Sequence, residues 1–294
     1  KYEKKLKELK KNNNSNKKSE EIANKSSKKE KKNKKNKEEI SSSDKIVLEK
    51  VIRPKDYKVD FSFPEPSEIN HSLIDLQNIT FGYSAEKILF KNLTFGIGFG
   101  DRICVVGANG VGKSTLLNIM CNELECFEGD ITINRKIKIA KYSQHFVDKI
   151  PLDLTPVEFL QKIDNNLSEQ NARRCLGSFG LESHAHKILN ENLSGGQKAR
   201  VQFAMISIMK PHIILLDEPT NHLDMESVNA LIEAINNYKG TIVIISHDTK
   251  LIDETDCVLY ICCNQTCEKF DGNLEDYKDT IINYNYEEED VEKK

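Results

Sequence analysis

The 294-residue sequence lacks any apolar stretch approaching the roughly 18 residues that a membrane-spanning helix needs. It also lacks an initiator methionine, a signal peptide and a transit pattern at its start, which predicts a piece excised from a longer chain. No internal repeat is visible. We therefore expect one folded domain that does not itself cross a membrane.

The eight cysteines lack the spacing of a disulfide framework or of a zinc site. A cluster at Cys262, Cys263 and Cys267 has no second pair and no histidine at zinc spacing nearby. Unpaired thiols are typical of a reducing compartment, so the sequence predicts a reduced, cytoplasmic chain. Three other cysteines lie in or beside apolar runs, where cysteine behaves as a small buried hydrophobe: Cys104, Cys121 and Cys257.

The first 40 residues contain too few apolar side chains to bury a core. They hold 16 Lys and 7 Glu, a net charge of +9, whereas the other 254 residues carry 27 basic and 39 acidic side chains, a net charge of −12. Residues 2–10 show leucines at helical spacing among alternating charges, and residues 11–37 are of low complexity. We expect a basic linker that is partly helical or disordered. The positive charge of this linker fits two roles equally well: contact with a polyanionic partner, or solubilisation alone.

One stretch fits the pattern G-x-x-x-x-G-K-[ST] in the context that the pattern requires. The apolar, β-branched run 102–106 predicts a strand before it, and residues 115–120 predict a helix after it. Glycines allow the backbone N–H groups of such a loop to turn towards phosphate oxygens, beside the positive end of the helix. Lys113 could then reach the β- and γ-phosphates, and the Ser114 hydroxyl could bind Mg²⁺. The alternative is a glycine-rich turn that binds nothing. The loop residues are Gly107, Ala108, Asn109, Gly110, Val111, Gly112, Lys113 and Ser114, followed by Thr115.

Apolar periodicity predicts an α/β domain that begins near Leu73. Alternation predicts an antiparallel meander first, and a further strand pair after the phosphate loop. Two continuous apolar runs near the end are typical of buried parallel strands. The meander covers 73–81, 88–90 and 93–99, the strand pair covers 129–133 and 137–142, and the buried runs are 213–216 and 241–245.

Between these strands, residues 155–190 lose the strand pattern and predict helices. Pro156 suits a first helical turn, and Ser168 suits an N-cap before Glu169. The sequence therefore predicts an α/β core with an antiparallel sheet and a helical insert.

One polar motif follows each of the buried runs 213–216 and 241–245, and a third directly precedes a predicted helix at 198–209. Together with the phosphate loop, they resemble the ATP-binding-cassette (ABC) family from Leu73 to about Asn285. The resemblance implies an ABC nucleotide-binding domain, with a P-loop core around a mostly parallel sheet, an antiparallel β subdomain and a helical subdomain. The motifs are Leu193-Ser194-Gly195-Gly196-Gln197, Asp217-Glu218-Pro219-Thr220 and Ser246-His247-Asp248.

Asp217 and Glu218 are the candidate carboxylates for chemistry. Asp217 follows a buried strand, where α/β sheets bind ligands, and an ionised carboxylate there can hold Mg²⁺. Glu218 is placed to orient or deprotonate the water that attacks a γ-phosphate. Without the phosphate loop, an adjacent acidic pair would be read as a solvated turn.

The ABC resemblance implies roles for other residues. Tyr83 would stack on adenine, the alternative being ordinary sheet packing. Gln144 falls at the family's Q-loop, with a part in catalysis and in metal binding, and His247 would sense the γ-phosphate as a catalytic residue. The signature loop offers a second helix start with free N–H groups, and in a cassette it contacts the γ-phosphate bound to the opposite cassette. Its residues are Ser194, Gly195, Gly196 and Gln197.

The spacing between the phosphate loop and the signature loop indicates which branch of the ABC family the chain resembles. Ser114 and Ser194 are 80 residues apart, which excludes the long-coil chromosomal ATPases. Residues 218–224 have the form typical of the ABC-F family of soluble translation factors, and residues 61–66 resemble the approach to its second, C-terminal cassette. The resemblance divides the chain into three parts: a charged inter-cassette linker and lead-in at 1–72, a cassette at 73–286 and an acidic tail at 287–294.

The ABC-F resemblance implies an ATPase that uses ATP and Mg²⁺ and acts on ribosomes in initiation or elongation. Its partners would be a sister cassette of the same full-length chain or a second copy of this one, and the ribosome with its rRNA and tRNA. Some eukaryotic members also associate with initiation factor 2. Two alternatives stay open: the ATPase subunit of an ABC transporter, and a nucleotide-holding module whose basic arm is the working part.

Overall fold

The computed structural model describes residues 59–69, 71–143 and 150–279. Three predictions concern residues outside these ranges: the basic linker before residue 59, Gln144, and the acidic tail at 287–294. Nine strands lie in the described part of the chain: β1 (Ile74–Ser84), β2 (Lys87–Ile97), β3 (Arg102–Val106), β4 (Glu128–Ile133), β5 (Ile139–Tyr142), β6 (Ile213–Asp217), β7 (Thr241–Ile245), β8 (Val258–Cys263) and β9 (Thr266–Lys269).

The described part of the chain also holds six α-helices, three of which follow one another between β5 and β6, and residues 274–279 are helical as well. Short 3₁₀ turns occupy Ala185–Lys187 and Asn190–Asn192. The helices are α1 (Lys113–Met120), α2 (Pro156–Ile163), α3 (Glu169–Ser178), α4 (Gly195–Met209), α5 (Met225–Asn237) and α6 (Thr249–Glu254).

The larger sheet has the strand order β5-β6-β7-β3-β8-β9. All its pairings are parallel except that of β8 with β9. Residues 213–216 of β6 and all of β7 are buried, as the continuous apolar runs predicted. The register pairs Asp217 with Ile245, so the carboxyl ends of β6 and β7 lie side by side.

The smaller sheet is antiparallel, in the order β2-β1-β4. The predicted division of its second strand into 88–90 and 93–99 is wrong, because β2 continues through both. Phe81 pairs with Phe90 and Ile79 pairs with Leu93, so β2 holds one extra residue between these pairs. Asn92 has a φ of 52° in this bulge, which interrupts the alternation of side chains without ending the strand.

The predicted strand pair after the phosphate loop is also wrong. β4 pairs antiparallel with β1, and β5 pairs parallel with β6, so neighbouring strands in the sequence enter different sheets. His212 anchors β5 at this point. Its Nδ1 accepts from the Lys138 backbone N–H at 3.0 Å, and its own backbone N–H donates to the Lys138 carbonyl at 2.8 Å. A contact between residues 74 apart in the chain therefore overrides the local hairpin pattern.

The helical insert follows its sequence signals closely. Thr155 and Glu158 form a capping box at the start of α2, with Pro156 at its first position. The Ser168 side chain accepts from the Asn171 backbone N–H and caps α3. The predictions for Pro156 and Ser168 are confirmed.

The extended lead-in is part of the same packed unit. Phe61 and Phe63 are only 4% and 7% exposed and belong to the core cluster that contains residues of α3 and α4. The packed unit therefore begins before Leu73, where the sequence placed its start.

Candidate functional site

The carboxyl ends of three neighbouring strands meet at one cavity. The phosphate loop follows β3, the Asp217-Glu218 pair ends β6, and His247 follows β7. Parallel strands place such ends at one edge of the sheet, which is where ligands bind in open α/β sheets. The cavity has a volume of about 600 Å³ and is lined by Tyr83, Lys87, Leu89, Asn109, Gly110, Gly112, Lys113, Ser114, Thr115, Asp217, Glu218, Asn221, Ile245 and His247.

Lys113 begins α1 and turns back over the loop. Its Nζ donates to the carbonyls of Gly107 and Ala108 at 2.8 and 2.9 Å, and the residue is 8% exposed. Burial lowers the pKa of Lys113, although the nearby Glu218 carboxylate acts in the opposite direction. Backbone oxygens thus hold the ammonium group in the cavity, where phosphate oxygens could take over its hydrogen bonds.

Two glycines allow the phosphate loop to pass close to neighbouring residues before it enters α1. A Cβ on Gly107 would lie 2.5 Å from the carbonyl oxygen of Cys262, closer than any side chain tolerates. Gly112 has a φ of 110° and precedes α1, with the ring of Phe90 3.1 Å from where its Cβ would be. Larger residues at either position would push the loop away from the sheet.

Glu218 is held in a strained conformation beside a histidine. Its φ is 49°, in the left-handed region that glutamate rarely adopts, and its backbone N–H donates to the Ile245 carbonyl at 2.8 Å. Its Oε1 lies 3.6 Å from Nε2 of His247. Burial raises the pKa of Glu218, while the imidazole and a hydrogen bond from the His247 backbone oppose that shift. A carboxyl group whose pKa is moved towards neutrality is suited to exchange a proton with water.

Asp217 and Ser114 both line the cavity, Asp217 at the end of β6 and Ser114 in the first turn of α1. A carboxylate and a hydroxyl are hard oxygen ligands, of the kind that Mg²⁺ takes together with substrate phosphates and water. This donor set fits a magnesium ion shared with a bound nucleotide.

Tyr83 forms an aromatic wall at the mouth of the cavity. It is 65% exposed, its ring meets Phe81 edge-on at 5.4 Å, and its hydroxyl lies 3.1 Å from Thr115 Oγ1. An exposed aromatic face tied to the phosphate-loop helix offers a stacking surface for a planar base.

The signature loop does not line this cavity. Ser194 caps α4 and forms a capping box with Gln197, and both Ser194 and Gly195 are exposed. A Cβ on Gly196 would come within 2.9 Å of the carbonyl oxygen of His222, so the loop packs closely on the segment after β6. The start of this helix therefore lies outside the cavity that the chain's own phosphate loop lines.

Comparisons with known proteins agree with this geometry. The family described as "ABC transporter" matches residues 90–221. The chain is 43% identical over 237 residues to ABC transporter F family member 4 of Arabidopsis thaliana, an alignment of 77% of this chain and 33% of that protein. It is 37% identical over 228 residues to protein GCN20 of Saccharomyces cerevisiae, covering 78% and 30% of the two chains. The chain belongs to the ABC-F family.

The ABC-F cassette also resembles solved ATP-binding cassettes. One is the cassette MJ0796 in a dimer bound to ADP and Pi, with a TM-score of 0.59 and 26% identity over 68% of this chain and 100% of that one. The chain spans about a third of the length of the curated relatives that it matches. Within the described ranges, no helix is long and apolar enough to cross a membrane.

Most of the site residues that the sequence predicted lie around this one cavity. Gly107, Ala108 and Val111 belong to the loop but not to the cavity lining, the signature residues lie elsewhere, and Gln144 falls outside the described residues. Four lining residues were not nominated as site residues: Lys87, Leu89, Asn221 and Ile245. Asn221 belongs to Asn221-His222-Leu223-Asp224, which resembles the D-loop of the family but was assigned no contact with the site, whereas no sequence signal marks Lys87 or Leu89.

Proposed function

We propose that this cassette binds ATP with Mg²⁺ and hydrolyses it as one half of a tandem ABC-F ATPase that acts on ribosomes in the cytoplasm. The observation that carries the proposal is the convergence of Lys113, Asp217, Glu218 and His247 on one cavity that Ser194 does not line. A cavity with a phosphate loop and a carboxylate base, but without a signature loop, needs a second cassette for completion.

Each residue has a distinct part in this proposal. The loop N–H groups and Lys113 hold the β- and γ-phosphates, and Tyr83 stacks on the adenine. Ser114, Asp217 and Gln144 hold the magnesium ion, which supplies charge neutralisation at the phosphates.

Glu218 orients the attacking water and accepts its proton, because its carboxylate lies in the cavity and its pKa is raised by burial. His247, close to that carboxylate, responds to the presence of a γ-phosphate. Neither side chain forms a covalent bond with the substrate.

The partner is a sister cassette, whose signature loop would close over the phosphates bound here. Ser194, Gly195, Gly196 and Gln197 of this chain would in turn close over the ATP of the sister. The dimer of the similar cassette MJ0796 supports this arrangement. Ribosomal RNA, tRNA and initiation factor 2 are partners proposed from the ABC-F membership alone.

The test uses the full-length protein that contains this cassette. We expect ATP-dependent phosphate release, together with co-sedimentation with ribosomes at physiological salt. Lys113→Ala should abolish ATP binding at this site while the protein stays folded. An unchanged ATP affinity in that variant would overturn the phosphate-loop assignment, and recovery with a membrane protein instead of ribosomes would overturn the translation role.

A further inference from the structure

Residues 59–67, here called the strap, are fastened to three separate elements. The Asp60 backbone N–H donates to the Ser178 carbonyl at the end of α3, at 3.0 Å. The Ser207 hydroxyl of α4 donates to the Ser62 carbonyl at 2.9 Å. A third contact joins Ser67 Oγ to Nε2 of His212, just before β6, at 2.9 Å. The strap therefore runs across α4 between the helical insert and the larger sheet.

Two phenylalanines of the strap enter the core beneath it. The Phe61 ring lies 4.9 Å from that of Phe179 and 5.3 Å from that of Phe203. The Phe63 ring lies 6.2 Å from Phe179 and 6.0 Å, edge-on, from Tyr238. Such ring pairs are directional and contribute beyond the area that they bury. The two rings thus contact Phe179 at the end of α3, Phe203 on α4 and Tyr238 at the end of α5.

Phe203 connects the strap with α4, the helix that begins at the signature loop. It lies on α4, the helix that Ser194 caps, and its ring stacks on Tyr142 at 4.5 Å with an interplanar angle of 13°. Tyr142 ends β5, two residues before Gln144. An α-helix rises about 1.5 Å per residue, so Phe203, nine residues after Ser194, lies about 13.5 Å from it along the axis of one continuous helix. A small tilt of α4 at Phe203 would therefore displace the signature loop at its other end.

We propose that the strap is a positioning element, in which Phe61 sets the orientation of α4 and hence of the signature loop that this chain presents to its sister cassette. The inference rests on the proposed tandem arrangement. Among the described residues that line the chain's own cavity, none belongs to the strap. Through α4, Phe61 thus acts chiefly on the ATP held by the sister's phosphate loop, and only weakly on the ATP held by Lys113.

The experiment separates the two composite sites in the full-length protein. In one background Lys113→Ala disables this chain's phosphate loop, so the remaining turnover uses this chain's signature loop. In the other, the same change in the sister cassette leaves only the site that uses this chain's own phosphate loop. Phe61→Ala is then added to each background, and kcat, KM and ATP affinity are measured.

We expect Phe61→Ala to lower kcat about tenfold in the first background, because displacements of about 1 Å at a reacting group have effects of this size or larger. In the second background we expect kcat and ATP affinity to stay within about twofold of the parent, a difference of less than 1 kcal/mol. Phe61→Leu, which keeps apolar volume in the strap, should restore part of the lost turnover.

Phe95→Ala is the matched control. Phe95 is equally buried and also pairs with an aromatic ring, that of Tyr260 at 4.9 Å, but it belongs to the core cluster of the smaller sheet. It should lower thermal stability as Phe61→Ala does, without the asymmetry between the two backgrounds. Equal losses in both backgrounds, or no loss in either, would overturn the positioning role. If the unmodified protein released no phosphate, the proposed ATPase would fail before the strap was tested.

Discussion

Glu218 Oε1 and His247 Nε2 lie 3.6 Å apart, although 29 positions separate the two residues in the sequence. Each follows one of two neighbouring parallel strands, β6 and β7, and the Glu218 backbone N–H is bonded to the Ile245 carbonyl across that pair. The sheet register and the left-handed backbone at Glu218 together turn the carboxylate towards the cavity and the imidazole.

Replacement of Glu218 by Gln should separate binding from hydrolysis. The amide keeps the size of the side chain but cannot accept a proton from water, so we expect phosphate release to fall about 100-fold or more, within the range of general-base effects. ATP affinity should change little, because Lys113 and the loop N–H groups are untouched. Phosphate release and nucleotide binding are measured on the same preparation. Turnover at the unmodified rate would exclude Glu218 as the base.

The same substitution should raise stability at neutral pH. Burial raises the pKa of Glu218 in the folded protein, so the carboxyl's contribution to stability is full below the unfolded pKa and is lost as pH rises through the folded pKa. At neutral pH the ionised, partly buried carboxylate lowers the free energy of unfolding, and the uncharged Gln side chain removes this effect. Urea unfolding at neutral and at acidic pH should show a stabilisation that disappears on acidification.

Glu158 is the internal control for this titration. Hydrogen bonds from the Thr155 backbone and hydroxyl lower the pKa of Glu158, the direction opposite to Glu218. NMR titration of the side-chain carboxyl carbons should therefore place the midpoint of Glu218 above that of Glu158. The reverse order would contradict the effect of burial at Glu218.

Tyr83 should affect the affinity for ATP more than the rate of its hydrolysis. Tyr83→Ala removes the stacking surface and should weaken ATP binding about five- to tenfold, since an aromatic pair contributes about 1 kcal/mol beyond buried area. Tyr83→Phe keeps the ring and removes only the hydroxyl contact with Thr115. Fluorescent-nucleotide titration should give Tyr83→Phe an affinity near that of the parent. Equal affinities for all three proteins would rule out stacking.

Tyr238 tests a contact that supports the fold without reaching the cavity. Its buried hydroxyl donates to the Pro211 carbonyl at 2.6 Å, between the end of α5 and the start of β6. Tyr238→Phe should lower the free energy of unfolding by about 1 to 2 kcal/mol, because the carbonyl loses its partner in the core. The partly buried Tyr260 provides the control, and Tyr260→Phe should lower the free energy of unfolding less. Denaturant melts of both variants would show whether the buried hydrogen bond carries this difference.

Local patterns predicted the elements well where the controlling interactions are short in sequence. The capping of α2 and α3 depends on residues three positions apart, and the buried runs of β6 and β7 need only continuous β-branched and aliphatic residues. The prediction of strand pairing failed where the partner strand is distant in the sequence. The hairpin expected from 129–133 and 137–142 does not form, because His212 bonds the start of β5 to β6.

The sequence by itself determined the chemical groups of the site: the glycine-rich loop with Lys113, the adjacent carboxylates, His247 and a separate Ser-Gly-Gly helix start. Those identities follow from residue types at short spacing, and spacing is what a sequence records. Only the tertiary structure decided that Lys87 and Leu89 line the cavity, that Ser194 does not, and that Phe61 packs against the helix that Ser194 caps. These relationships depend on sheet order and on contacts between residues far apart in the chain, which the packing of the whole core selects.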